Sequence, residues 1–223
     1  CYYLTMEVEN DIGEGMVFSS IDEAQMAYDE HQIELHSKAG IRITREINGE
    51  EKTGIVYSSF GRFIFNDIVP QDLGYVDRTI PENELKLEVD FQVGKKQLED
   101  IISRAIRIIG AGETAIFLDN VKSLGYKFST RSGISIGIMD MVVPDVKETM
   151  IKEADAKVDY VTKMFEKGLV NDEGRYKAVV DIWQKTTDAI TKKLISSLKA
   201  DNSIKMMATS GARGNENQIK QLA

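Results

Sequence analysis

Arg213 is the only charged residue in a run of small and polar residues, Thr209-Ser210-Gly211-Ala212-Arg213-Gly214-Asn215. Flanking glycines let a backbone come close to a ligand, and a guanidinium fork matches the oxygens of a phosphate group. The plain alternative is a polar turn with a solvated arginine. A second glycine-containing run, Ser129 to Gly137, has no phosphate-loop spacing and no Gly-Lys-Ser/Thr, so it reads as a tight connection feeding a buried strand, Ile136 to Val143. Asp119, Asp140 and Asp181 lie too far apart in sequence to be read as a metal site, and Asp181 reads as part of a solvated helix face. His31 and His36 have no serine, cysteine or second ligand at useful spacing, which points to solvated or core-edge roles.

The element that organises the chain runs from Asp145 to Leu198, a helical hairpin bent at Lys167-Gly168-Leu169-Val170-Asn171. Ile151, Ala154, Val158, Val161 and Phe165 recur at alternating three- and four-residue spacings, which puts them on one stripe of a helix. Tyr176, Val180, Trp183, Thr187, Ile190 and Leu194 give a matching stripe, so the arms are expected to zip as an antiparallel coiled coil roughly 35 Å long. Asp145 with Glu148 is the expected start signal, Pro144 stops the preceding strand, and Gly168 releases the first helix through a left-handed conformation. A coiled coil of that length projects from its core. Its tip mixes apolar Leu169 and Val170 with Asp172, Glu173 and Arg175, a combination suited to a small interface whose specificity is set by charge. The alternative is that Leu169 and Val170 only close the end of the hairpin.

Before the hairpin the periodicity is mixed. Ser20-Ile21-Asp22-Glu23 is a capping-box pattern opening a short helix to about Glu30. Ile41 to Ile47 alternates, Asn48-Gly49 is a two-residue hairpin signal, and Gly54 to Val56 returns as the partner strand. Gly61 to Ile68 reads as a helix ended by Pro70, and Leu85 to Val93 as a strand or extended segment. Lys96 to Ile109 is expected to be a helix burying Leu98, Ile101, Ile102, Ala105, Ile108 and Ile109, stopped by Gly110. Thr114 to Leu124 is expected to be another, stopped by Gly125. The fold class is α+β, a small helix-and-strand part followed by a long antiparallel helical hairpin.

At 223 residues and 42% apolar, the chain can bury a sizeable core. No apolar run approaches the ~20 residues that span a bilayer, and no basic-then-apolar leader opens the sequence. One cysteine excludes a disulfide framework, and a cytoplasmic location is the expectation. The chain begins at Cys1 and ends inside a helical pattern, which reads as a piece of a longer polypeptide. The net charge of −8 is uneven: residues 1–144 hold 24 acidic and 14 basic side chains, residues 145–200 hold 10 and 11. An acidic surface repels a phosphate backbone, which argues against an autonomous nucleic-acid-binding domain.

Ser210-Gly211-Ala212-Arg213-Gly214 with Gln218-Ile219-Lys220-Gln221-Leu222-Ala223 resembles a segment of the largest (β′) subunit of bacterial DNA-directed RNA polymerase. Cys1-Tyr2-Tyr3-Leu4-Thr5, Gly61-Arg62 followed by Ile68-Val69-Pro70, Gly94-Lys95-Lys96, Leu124-Gly125-Tyr126, Arg131 to Gly137, Gly168-Leu169-Val170, Arg175-Tyr176 and Asp181-Ile182-Trp183 follow in the family's order. The resemblance covers essentially the whole chain. It implies a part of a nucleotidyltransferase, with residues 1–143 in the pore, 144–205 in the funnel with its rim-helix coiled coil, and 206–223 beginning the loop before the bridge helix. It implies that the chain lines the secondary channel for nucleotide entry. Arg213 and Lys220 would face the nucleotide triphosphate.

The hairpin tip, Gly168, Leu169, Val170, Asp172, Glu173, Arg175 and Tyr176, would receive Gre-type transcript-cleavage factors. Further implied partners are the other polymerase subunits, with nucleotides, DNA and RNA only in the full enzyme. Magnesium would belong to a neighbouring segment, so no catalytic residue is expected here and the chain alone is expected to be inactive. Lys220 stands where many family members have arginine. Lys177-Ala178 replaces a pair that helps some relatives bind guanosine tetraphosphate. The competing reading is a self-contained coiled-coil interaction module.

Overall fold

The computed structural model describes residues 1–47, 49–199 and 201–222, and its chain divides into two compact units, residues 1–134 and 135–223.

The first unit is built on a three-stranded sheet. β1 (Val17–Phe18) lies parallel to β2 (Lys38–Ile47), and β2 pairs antiparallel with β3 (Glu50–Ser59) in register from Lys38 opposite Ser59 to Ile47 opposite Glu50. Both strands of the hairpin are longer than the alternation alone indicated. Gly49 sits at φ +83°, in the left-handed region that a two-residue turn demands, while the expected turn residue Asn48 lies outside the described residues. Gly40 matters for a different reason. A Cβ there would come within 2.8 Å of the Tyr57 ring, so its absence lets the aromatic lie flat across β2.

Between β1 and β2 runs α1 (Ile21–Asp29). The Ser20 hydroxyl accepts from the Glu23 amide as expected, but the Glu23 carboxylate reaches one residue further back, to the amide and hydroxyl of Ser19. α2 (Phe60–Ile68) follows β3 directly and buries Phe60, Phe63 and Phe65. Gly61 is obligatory at this seam, because a Cβ would stand 1.9 Å from the Leu4 carbonyl oxygen.

Leu85 to Val93, expected as a strand or extended segment, is a turn followed by bends and irregular chain outside the sheet. Side chains satisfy its backbone in place of a neighbouring strand. Asn66 accepts from the Val89 amide at 3.0 Å and donates to the Val89 carbonyl at 2.7 Å, and the Val93 amide donates to Thr5 Oγ1 at 2.8 Å. Leu87, Val89 and Val93 are buried through that arrangement. Glu88, also buried, pairs with Arg78 at 2.9 Å and accepts from the Tyr75 amide at 2.6 Å, so its charge is compensated from two sides.

α3 (Lys95–Ile108) buries Ile101 and Ala105, with Leu98, Ile102 and Ile109 packed alongside; Ile108, expected inside, is half exposed at the helix end. Gly110, at φ +81°, separates it from α4.

α4 (Gly110–Ser132) corrects the sequence reading in two respects. The helix does not stop at Gly125, because a mid-helix glycine costs only ~1 kcal/mol and the buried face of Thr114, Phe117 and Val121 continues past it to Phe128. The residue that ends it is Gly133, at φ +57°. Ser129 to Ser132 is therefore helix, not a connection.

The expected buried strand from Ile136 to Val143 does not form. Ile138–Asp140 is a single 3-10 turn, Ile138 and Met139 are 92% and 93% exposed, and among the described residues the segment joins no sheet, so neither burial nor a backbone ladder is there to hold a strand.

In the second unit the helical hairpin stands as read, with α5 (Lys147–Glu166) and α6 (Asp172–Ser197). Its entry differs. Val146 is the N-cap, without a side-chain hydrogen bond, so Asp145 with Glu148 forms no capping box. The inward stripe of α6 is also rotated. Toward the tip, Tyr176 and Val180 are exposed and Trp183 sits at 36% exposure, whereas Val179, Ile182 and Thr186 are sheltered; toward the base, Thr187, Ile190 and Leu194 are sheltered as the sequence stripe has them. One residue is about 100° of helix rotation, and contacts at the tip choose between the two candidate stripes. α7 (Ser203–Ser210) and α8 (Glu216–Leu222) close the unit.

Tyr75 gives the first unit a testable alkaline signature. Its hydroxyl donates to Asp100 Oδ2 at 2.5 Å while Arg104 lies over the ring, and burial together with that carboxylate pushes its pKa up to about 12. A folded pKa above the unfolded value means that its contribution to stability is present below pH 10 and lost as pH rises through about 12. In a spectrophotometric titration, Tyr75→Phe is expected to remove a tyrosinate transition near pH 12.

Candidate functional site

The segment that carries Arg213 is held by local hydrogen bonding. Asn202 caps α7 by accepting from the amides of Ile204 and Lys205, and its own amide group donates to the Asp140 carbonyl at 2.9 Å. Gly211 ends α7 at φ +76°, and the Arg213 amide returns to the Met207 carbonyl at 3.2 Å. Gly214, at φ +85°, turns the chain into α8. Asn215 and Gln218 then form a reciprocal capping box, each side chain accepting from the other's amide, at 2.9 and 3.1 Å. The glycines thus do what a tight double turn requires. Arg213 is left exposed on it, with no partner for its guanidinium among the described residues.

Lys220 sits elsewhere. It lies on α8 with its ammonium 3.6 Å from Asp188 Oδ1 of α6, and it lines a cleft together with Thr191, Lys192, Ser196 and Lys205; Arg213 is not in the wall of that cleft. Packing of Ile219, Ile204 and Leu194, with Met141 and Ala208 alongside, holds α8 and α7 against α6 and brings these lysines together. Lys192, Lys205 and Asp188 were missed in the sequence. Their only sequence signal is the four-residue spacing Asp188, Lys192, Ser196 along one helix face.

The hairpin tip is shaped by a Schellman motif. Gly168 takes φ +72°, its amide donates to Phe165 O at 2.8 Å, and the Leu169 amide donates to Met164 O at 3.0 Å. Asn171 caps α6 by accepting from the Gly174 amide at 2.8 Å. A Cβ on Gly174 would meet both the Asn171 side chain and Val170 at 2.9 Å, so the first turn of α6 closes down on Val170. Arg175 lies 5.0 Å from the centre of the Phe165 ring and pairs with Asp172 at 2.7 Å. These contacts set the rotation of α6 and turn Tyr176 outward.

Glu173 is paired with Lys177 at 2.6 Å. Leu169 is 65% exposed, so it does not close the hairpin end; Val170 is the half-buried one.

The other candidates fall where bland chemistry puts them. Asp181 is exposed and paired with Lys185, Asp119 with Lys122, and Asp140 accepts from the Gly137 amide. His31 is exposed at φ +57°. His36 stacks edge-on against Tyr3, with its Nε2 2.8 Å from the Tyr3 carbonyl; burial holds its pKa below the usual value, and that hydrogen bond opposes the shift in part. Among the described residues no group of three or more His, Cys, Asp or Glu is placed to hold a metal ion. No helix is long and apolar enough to cross a membrane.

Residues 1–141 match the family model RNA polymerase Rpb1, domain 3, and residues 170–223 match RNA polymerase Rpb1, domain 4. The chain is 50% identical over 222 residues to the DNA-directed RNA polymerase subunit beta' of Acetivibrio thermocellus, 49% to that of Caldicellulosiruptor saccharolyticus and 47% to that of Clostridium botulinum. In each comparison 100% of this chain is covered, and it spans 19% of the relative's length.

Leu194→Ala is expected to loosen α7 and α8 from α6, removing about 2–5 kcal/mol from the second unit as large-to-small core changes do. Hydrogen exchange resolved by peptide checks this: faster exchange in residues 203–222 with β2 and β3 unchanged is the expected pattern, and unchanged exchange there refutes the anchoring role.

Proposed function

Because the chain belongs to the RNA polymerase Rpb1 family, we propose that it serves within a β′-type subunit of a DNA-directed RNA polymerase, a nucleotidyltransferase. Residues 1–143 line the pore, residues 144–205 form the funnel with its rim helices, and residues 206–223 lead toward the bridge helix. Together they border the secondary channel by which nucleotides enter. The partners are the other polymerase subunits, and the location is cytoplasmic. The observation that carries this reading is the similarity over the full chain, combined with an exposed Arg213 that has no partner among the described residues and sits on a glycine-framed turn.

The role of this chain is positional. Magnesium supplies charge stabilisation to phosphoryl transfer in such an enzyme. By the family resemblance, the residues that hold the ion would lie in a neighbouring segment of such a subunit. Arg213 contacts the nucleotide triphosphate, where a guanidinium offsets the negative charge of the departing pyrophosphate. Lys220 adds a second positive charge on the same segment. The rim-helix tip, Gly168 to Tyr176, receives Gre-type cleavage factors, and two features support this: the exposed Leu169 and Tyr176, and a rim of fixed charges.

In the assembled enzyme, Arg213→Ala is expected to raise the apparent Michaelis constant for nucleotides about ten- to a hundredfold, the worth of one charge-assisted phosphate contact. Single-nucleotide addition kinetics like those of the parent return Arg213 to a solvated turn. Reversing Asp172 and Glu173 to lysine tests the tip. Their ion pairs lie on an exposed first helical turn, where such pairs are worth under ~1 kcal/mol, so the hairpin persists. Factor binding and factor-stimulated RNA cleavage should fall while basal elongation holds; unchanged binding across a salt series rejects tip docking.

A further inference from the structure

We propose that the cleft between α6, α7 and α8, which holds Lys192, Lys205 and Lys220, is a binding site for a small phosphoanion, separate from the Arg213 turn. The cleft measures about 620 Å³, room enough for a di- or triphosphate group. Three lysines line the cleft, and among the described residues its wall has one carboxylate, Asp188, which is already engaged by the Gln184 amide at 3.0 Å and by the Lys220 ammonium at 3.6 Å. Lys205 is half-buried, and its ammonium is tethered to the Leu198 carbonyl at 2.7 Å, so it is preorganised and still has donors to spare. Lys192 has no partner among the described residues.

Like charges that line a concave site repel more strongly than they would in open water, and one carboxylate among the described lining residues offsets only part of the three positive charges. The three lysines come from three separate helices, joined only because Leu194, Ile204 and Ile219 pack together. Convergent point-charge donors with Ser196 and Thr191 at the wall match a multiply charged oxyanion; they do not match an apolar or cationic ligand. The site shares Lys220 with the nucleotide reading above but not Arg213, so the Arg213→Ala arm below separates the two.

The test is lysine acetylation, followed by peptide mass spectrometry, on the full-length subunit without magnesium. The probes are inorganic tripolyphosphate and ATP, with adenosine and matched ionic strength as controls. At ten times the dissociation constant, acetylation of Lys192 and Lys205 is expected to slow by about tenfold, while the exposed hairpin lysines Lys152 and Lys157 are unchanged.

Protection by both probes supports the site and identifies the phosphate chain as the recognised element. Protection by ATP alone supports it with a nucleotide as ligand. Lys192→Glu changes an exposed side chain without a partner among the described residues, so it is expected to leave the fold intact and to abolish protection at Lys205, whereas Arg213→Ala is expected to preserve it. Protection by neither probe, equal protection at Lys152 and Lys157, or protection that survives Lys192→Glu overturns the proposal.

Discussion

The second unit depends on one apolar contact, the meeting of Leu194, Ile204 and Ile219. α7 and α8 are short helices of eight and seven residues, well below the ~12–15 at which an isolated helix begins to hold in water. They persist because their buried sides press on the base of α6. The polar arrangements between the helices follow from that contact, including the Lys205 tether to Leu198 and the approach of Lys220 to Asp188. The contact also explains why the Arg213 turn can be so open. Its two glycines adopt left-handed conformations without help from packing, and the helices on either side are anchored independently.

The first unit solves a different problem. Residues 69–94 are largely irregular, yet several are buried, and burial obliges each backbone amide to find a partner. Asn66, Gln71, Thr5, Arg45 and Arg78 provide them from the side, with Gln71 and the two arginines reaching the Glu84, Lys86 and Glu88 region. A buried carboxylate at Glu88 is tolerable only inside that network, where Arg78 neutralises it. The acidic surface noted in the sequence is therefore not uniform, because part of the charge is spent internally.

The hairpin shows how specificity of rotation arises in a thin interface. α6 carries two apolar stripes about one residue apart, and either could have met α5. What selects between them is small: the close fit of Gly174 against Val170 and the seat of Arg175 over Phe165. The rejected stripe, with Tyr176 and Val180 exposed, becomes an outward aromatic and aliphatic face.

Features that close within a few residues were legible in the sequence. The hairpin with its Gly168 exit, the Ser20 cap, the β2–β3 turn at Gly49 and the glycine-framed arginine each rest on backbone hydrogen bonds or φ angles between neighbours. The resemblance identified the family on the same kind of local motif. Where the outcome turned on distant residues, the sequence could not decide. Gly125 looked like a stop and Gly133 did not, because only the burial of Phe128 against the core keeps α4 going. Ile136 to Val143 has the residues of a strand, but a strand needs a partner, and among the described residues this segment joins no sheet and leaves Ile138 and Met139 exposed. Lys192, Lys205 and Lys220 are scattered over 29 positions, and only the packing of three helices makes them neighbours. Tertiary structure alone decides such convergence, since nothing in the local chain records which surface will be buried against it.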